Sequence, residues 1–131
     1  MSVIKKTKIP TFADERGKLS VVEFHHFVDW EPKRLYYVTD VSKERGGHAV
    51  KGEKKIYICV QGTISGRIHD GKEWEEFEMH GPEDAIIVND ICYREFKHFS
   101  KGAVLLSVSN MPYQKENYIN DFDEFLQHCR K

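Results

Sequence analysis

The run Arg45-Gly46-Gly47-His48-Ala49-Val50-Lys51-Gly52-Glu53-Lys54-Lys55, with the apolar stretch Ile56 to Gln61 and the closing Gly62 behind it, decides how the chain is read. It reads as a turn, a short strand carrying one histidine, a tight loop, and a long strand that stops at a glycine. β-Branched and aromatic residues suit a pleated, half-buried surface, and glycine supplies turn geometry closed to other residues.

The same rhythm continues outward from this stretch. Upstream, Val3 to Ile9 reads as a short edge strand, Ala13 to Gly17 as a turn, and Leu19 to Phe24 and Lys33 to Thr39 as strands. Downstream, Thr63 to His69 and Trp74 to Met79 flank Asp70-Gly71, the strongest short-range hairpin signal in the chain. Ala85 to Val88, Ile91 to Phe96 and Ala103 to Ser109 are further strands, each bounded by Gly, Pro, Asn or Asp. Many short strands at regular spacing indicate a sandwich or barrel. One helix is expected, over about 120–130: Asn120 or Asp121 caps it, and Phe122, Phe125, Leu126 and Cys129 recur at helical spacing. The predicted fold class is all-β, a jelly-roll barrel with a short C-terminal helix, in a single domain covering 1–131.

Composition narrows the function. Of 131 residues, 40% are hydrophobic and 31% charged, as in a soluble globular protein, and the formal net charge of −1 gives no electrostatic footprint for nucleic acid. No window approaches a membrane span, and Met1 to Pro10 lacks the apolar core of a signal peptide. Three widely separated cysteines, Cys59, Cys92 and Cys129, suit a reducing compartment, so the expected location is cytoplasmic.

Arg34-Leu35-Tyr36-Tyr37, Arg45-Gly46-Gly47-His48-Ala49, the strand ending at Gly62, and Tyr118-Ile119-Asn120-Asp121-Phe122 together resemble the cupin-type dTDP-4-keto-6-deoxyglucose 3,4-ketoisomerases, the WxcM-like nucleotide-sugar ketoisomerases. The likeness runs from Asp14 to about Phe125, with the motifs in order. It implies a small metal-free cupin, a homodimer that often exchanges N-terminal strands, and a cytoplasmic role in deoxysugar biosynthesis for cell-surface polysaccharide. The family pattern is Arg-Gly-x-His-Ala-His, often followed by a glutamine. Here His48 is the first histidine, Val50 stands at the second, Lys55 stands at the glutamine, and Arg94 fits members with an arginine at a third polar position.

A 3,4-ketoisomerase moves a carbonyl through an enediol. It needs an acid/base that works near neutral pH, and donors or cations for the enediolate oxygens. His48 is the obvious acid/base, its alternatives being a satisfied structural histidine or an exposed one in a loop. Lys55, in phase with Tyr57 and Cys59, is a proton-transfer partner or fixed charge if that face looks inward. If Ile56, Ile58 and Val60 form the inward face, Lys55 is a solvated strand-end charge. Arg34 and Tyr36 share one strand face, and Arg34 either forks a phosphate or pairs with a surface carboxylate. Arg94 would serve a phosphate or oxyanion; Tyr93 donates a proton or packs. Arg16 is a substrate contact or an ordinary turn arginine, and Trp30 and Trp74 stack on a thymine ring or belong to the core or a dimer interface. The expected catalytic residues are His48, Lys55, Arg94 and Tyr93; the expected substrate-binding residues are Arg16, Arg34, Tyr36, Tyr57 and Arg45. No metal or other cofactor is expected. A cupin metal needs three or four His or carboxylate ligands where His48, Val50, Lys55 and Arg94 stand. His25 and His26 would face opposite ways on a strand.

Two alternatives to the isomerase follow from Val50. One is a nucleotide-sugar-binding cupin without catalysis, serving as a regulatory or assembly partner. The other is an isomerase or epimerase of shifted specificity in which Lys55 replaces the missing histidine.

Overall fold

The computed structural model describes residues 3–130; Met1 and Ser2, at the head of the N-terminal stretch read above, and Lys131 lie outside them. The strands in chain order are β1 (Ile4–Lys8), β2 (Thr11–Asp14), β3 (Gly17–Ser20), β4 (Arg34–Val38), β5 (Arg45–Val50), β6 (Lys55–Gln61), β7 (Thr63–His69), β8 (Trp74–His80), β9 (Asp84–Val88), β10 (Tyr93–Phe99), β11 (Val104–Ser109) and β12 (Tyr118–Ile119). Helix α1 (Phe122–Cys129) ends the described chain, and the Asp121 carboxylate accepts the Glu124 backbone N–H as its N-cap.

Two five-stranded antiparallel sheets form the body, in the orders β1-β9-β6-β11-β4 and β12-β5-β10-β7-β8, with β2-β3 as a separate hairpin. This is the jelly-roll pattern expected from the sequence, built as two facing sheets and not as a ring of strands closed by hydrogen bonds. The strand expected from Leu19 to Phe24 forms only over Leu19 and Ser20. β3 stops at Ser20, and Phe24–His26 form a 3-10 turn. Beyond the hairpin, burial decides the path: Val22, Phe24, Phe27, Val28 and Trp30 fold onto the outer face of the first sheet, against Ile56, Ile58, Ile87 and Val108.

The space between the sheets holds a second apolar cluster, including Tyr57, Cys59, Ile64, Ile68, Phe77, Met79, Ile86, Phe96 and Leu105. A third lies outside the second sheet, where Phe122, Phe125 and Leu126 of α1 cover Ala49, Tyr93 and Ile119. Both faces of β6 are therefore buried, which is why its sequence is apolar in both phases. The packing selects one of them: Tyr57 and Cys59 point between the sheets, Ile56 and Ile58 outward. Lys55, two residues before Tyr57, follows it inward and is completely buried.

Candidate active site

Alternation along five strands brings one set of polar side chains to one end of the space between the sheets. β4 contributes Arg34 and Tyr36, β6 Lys55 and Tyr57, β11 Ser107 and Ser109, β5 His48 with Val50, and β10 Arg94. Glu53 enters from the turn joining β5 to β6. Cross-strand register holds the set in place: Ser109 lies opposite both Arg34 and Lys55, and Arg94 lies opposite His48. A bulge between Arg94 and Glu95 makes that last pairing possible. Gly46 accommodates it. Its φ is +94°, and a Cβ there would stand 2.7 Å from the Arg94 carbonyl oxygen.

Glu53 is the centre of the cluster. Lys55 Nζ lies 3.2 Å from its carboxylate, and Arg34 and Arg94 each 3.4 Å from it, while the Ser109 hydroxyl donates to it at 2.7 Å. Burial raises the Glu53 pKa, but Lys55, Ser109 and Arg94 outweigh it, and the carboxyl is held below its ordinary value. Three cations against one carboxylate leave a formal charge of +2 with His48 neutral.

The two tyrosines differ. Tyr57 accepts a hydrogen bond from Arg94 at 2.9 Å, and complete burial pushes its pKa well up, so it stays a neutral phenol. Tyr36 accepts one from Lys55 Nζ at 3.0 Å. Burial pushes its pKa up as well, but the Lys55 charge and hydrogen bond prevail, and the phenol is more acidic than usual. His48 lies half-buried beside Tyr118, with ring centroids 5.1 Å apart. Burial first, then repulsion from Arg94 and Lys55, takes its pKa down to about 4. It is thus a neutral imidazole at pH 7, and its buried Nε2 has no hydrogen-bond partner among the described residues; nor have Arg34 Nε and Arg94 Nε. Exposure grows from the floor of Glu53, Lys55 and Arg94 to the half-buried Arg34 and Tyr118, and to the exposed Tyr113 over which the Arg34 guanidinium lies.

Of the residues singled out in the sequence, His48, Lys55, Arg94, Arg34, Tyr36 and Tyr57 come together here. Tyr93 does not. It occupies the opposite face of β10 and packs against Trp74, Phe122 and Phe125. Arg16 is paired with Asp14 on the exposed hairpin, and Arg45 is exposed at the start of β5. Trp30 and Trp74 belong to the outer packing layers. Glu53 and Ser109 were missed. A glutamate in a Lys-Gly-Glu-Lys-Lys run reads as one more solvated charge, and the serine as an ordinary strand residue. The available signal for Glu53 was its place, two residues before a lysine that enters an apolar strand.

His48 is surrounded by cations, a donor set unsuited to a metal ion, and Val50, completely buried on the same face of β5, adds no ligand. His25 and His26 correct the expectation made for them. On the 3-10 turn their rings lie 4.1 Å apart and, with Glu23, bring three ligand atoms within 4.8 Å of one another. All three side chains are exposed, in the outer layer and outside the buried cluster.

A two-sheet jelly roll enclosing a neutral imidazole, an acidified phenol and a surplus of buried cations defines a cupin equipped for proton transfer next to an anionic or enolising substrate. The chain belongs to the FdtA family, described as WxcM-like, C-terminal, whose profile matches residues 2–130. A TDP-4-oxo-6-deoxy-alpha-D-glucose-3,4-oxoisomerase of Aneurinibacillus thermoaerophilus is 28% identical over 120 residues, 90% of this chain and 86% of that protein. Among solved structures, the 3,4-ketoisomerase QdtA of Thermoanaerobacterium thermosaccharolyticum, as a histidine-to-asparagine mutant in complex with TDP-4-keto-6-deoxyglucose, superposes with a TM-score of 0.91 at 26% identity, covering 99% of this chain and 96% of that one. The TDP-quinovose 3,4-ketoisomerase WlaRB of Campylobacter jejuni gives a TM-score of 0.85 at 32% identity, covering 95% and 97%.

Proposed function

We propose that this protein is a metal-free nucleotide-sugar 3,4-ketoisomerase acting on dTDP-4-keto-6-deoxyglucose. The observation that carries the reading is the meeting of a neutral His48, whose Nε2 has no hydrogen-bond partner among the described residues, with the Tyr36–Lys55 pair and a net positive surround. The related TDP-sugar ketoisomerases support the substrate class.

The chemistry divides between the groups. His48 Nε2 takes the proton from C3, and the C3–H electron pair becomes the C3=C4 double bond. The carbonyl π pair moves to O4, which takes the Tyr36 proton, giving the enediol. The Tyr36 phenolate, stabilised by the Lys55 ammonium, then takes the O3 proton as the C3=O bond forms. The C3=C4 pair accepts the proton from the His48 imidazolium at C4. Both residues return to their starting states. Arg34 and Arg94 supply positive charge for the enediolate or the pyrophosphate, an electrostatic role of the kind that dominates many enzymatic rate enhancements. In this scheme the base and the acid are different side chains, so one histidine on β5 is enough and Val50 needs no catalytic counterpart. A binding protein without catalysis is the weaker reading, because base, phenol and cations are all retained.

The reading includes a homodimer. The exposed Phe12 and Leu19 of the hairpin and the exposed Leu35 and Tyr37 on the outer face of the edge strand β4 are apolar surface of the kind that subunit contacts cover. It also includes a cytoplasmic setting, in keeping with three free cysteines. No helix among the described residues is long and apolar enough to cross a membrane.

Incubation with dTDP-4-keto-6-deoxyglucose in D2O, followed by NMR, tests the function. The 3-keto isomer with deuterium at the exchanged carbon is expected; neither isomer nor exchange at high enzyme concentration would overturn it.

A further inference from the structure

The site contains a buried carboxylate that the proton transfers do not use. Glu53 is 2% exposed, and an acidic group is rarely enclosed to that degree without a partner that requires it. It has three cationic neighbours and one hydroxyl donor; Lys55, Arg94 and Ser109 are buried, and Arg34 is half-buried. Ser109 fixes one carboxylate oxygen, and Lys55 and Arg94 converge on the other. On its far side Lys55 Nζ donates to the Tyr36 hydroxyl and lies 4.8 Å from the Tyr36 ring. A line of contacts therefore leads from Ser109 through Glu53 and Lys55 to Tyr36.

We propose that Glu53 is a positioning residue that sets the working charge of this site: seated between Arg34, Lys55 and Arg94, it offsets one of these three cations and holds the Lys55 ammonium on the Tyr36 hydroxyl. The proposal rests on the functional reading above and adds to it a residue that touches neither sugar nor reacting atom. The physical need is clear. Three unbalanced cations in an enclosed space would strip the proton from the neighbouring phenol, because at this range Coulomb terms reach several kcal/mol even at an effective dielectric of about 20. A phenol already ionised has no proton to give to O4. Glu53 acts in the opposite sense, raising the Tyr36 pKa while Lys55 lowers it. The same carboxylate also raises His48 against Arg94 and Lys55. The charged and titratable groups facing Tyr36 and Glu53 are Arg34 on β4, Lys55 and Tyr57 on β6, Arg94 on β10, and His48 and Tyr118 at the open end. Apart from Glu53, the only permanently charged groups among them are positive.

The test compares wild type, Glu53→Gln and Glu53→Asp by ultraviolet titration of tyrosine, with Tyr36→Phe identifying the contribution of that ring. Glu53→Gln is expected to move Tyr36 ionisation to lower pH by about one unit or more. The alkaline limb of kcat should move with it, whereas a purely structural loss would lower kcat at every pH without moving the limb. Glu53→Asp keeps the charge but withdraws it by one methylene, and should shift both in the same direction by less. It decides the matter if the glutamine variant does not fold. A Tyr36 titration unmoved in the folded variants overturns the proposal even if the enzyme isomerises its substrate. Wild type that fails to isomerise while Tyr36 still moves overturns the functional reading and leaves the role of Glu53 standing.

Discussion

His48 is the residue whose environment most changes its chemistry. In the unfolded chain it titrates near 6.5 and in the folded chain near 4. Between these values only the unfolded chain takes up the proton. Stability therefore falls as pH drops from about 6.5 to about 4, by an amount on the order of 3 kcal/mol, and is fully present above that window. Urea unfolding of wild type and His48→Asn at pH 7 and pH 4.5 checks this: wild type should lose the larger share on acidification. The same substitution removes the base. Turnover should fall by about 10²–10⁴-fold, with TDP affinity changed only slightly, measured by NMR assay and calorimetry. An acid limb of kcat/KM near pH 4, well below that of free histidine, is the kinetic counterpart.

At the level of elements, the site depends on the join between β5 and β10 and on what holds α1 in place. Gly46→Ala would put a side chain at φ +94° and 2.7 Å from the Arg94 carbonyl oxygen, so the bulge that sets Arg94 opposite His48 must shift. About 2 kcal/mol of stability should be lost, read by thermal denaturation, together with a drop in kcat at temperatures where the variant is fully folded. Phe125 is completely buried beneath α1 against Tyr93. Phe125→Ala should cost about 3–5 kcal/mol while leaving the pH dependence of activity unchanged, because that cluster is separated from His48 by the thickness of the sheet. The contrast between the two variants distinguishes residues that shape the site from residues that only support the fold around it.

For the whole molecule, the outer faces of the two sheets are not treated alike. Residues from Val22 to Trp30 cover the middle of the first sheet and α1 covers part of the second, but β4 at the edge of the first sheet keeps Leu35 and Tyr37 exposed. The hairpin β2-β3 adds the exposed Phe12 and Leu19. Light scattering coupled to size exclusion is expected to give twice the chain mass of 15.4 kDa. A double variant, Leu35→Ser with Tyr37→Ser, should move the population toward monomer. A wild-type monomer at micromolar concentration would remove the dimer from the reading.

Much of this molecule follows from local sequence. The period-2 pattern and the turn residues place β7 and β8 around Asp70-Gly71, and the spacing of Phe122, Phe125 and Leu126 with the Asp121 cap gives α1. His48 stands out because it is the single histidine in a glycine-led strand. The sequence could not decide the phase of β6, because a strand covered on both sides is apolar in both phases; only the layer from Val22 to Trp30 turns Ile56 and Ile58 outward and Lys55 in. Tyr93 was ambiguous for a related reason. It adjoins Arg94 in sequence, yet neighbours on a strand face opposite ways, and the faces acquire meaning only when α1 and the first sheet take their sides. Glu53 shows the limit most clearly. Its partners are Arg34, Lys55, Arg94 and Ser109, and three of the four lie on strands distant in sequence from it. A charge in a charged run looks solvated until the tertiary fold removes the water and surrounds it with cations. The sequence determined which strands form and where the histidine sits; the packing of sheet on sheet decided which charges meet, because desolvation and Coulomb attraction act between residues that only the fold brings together.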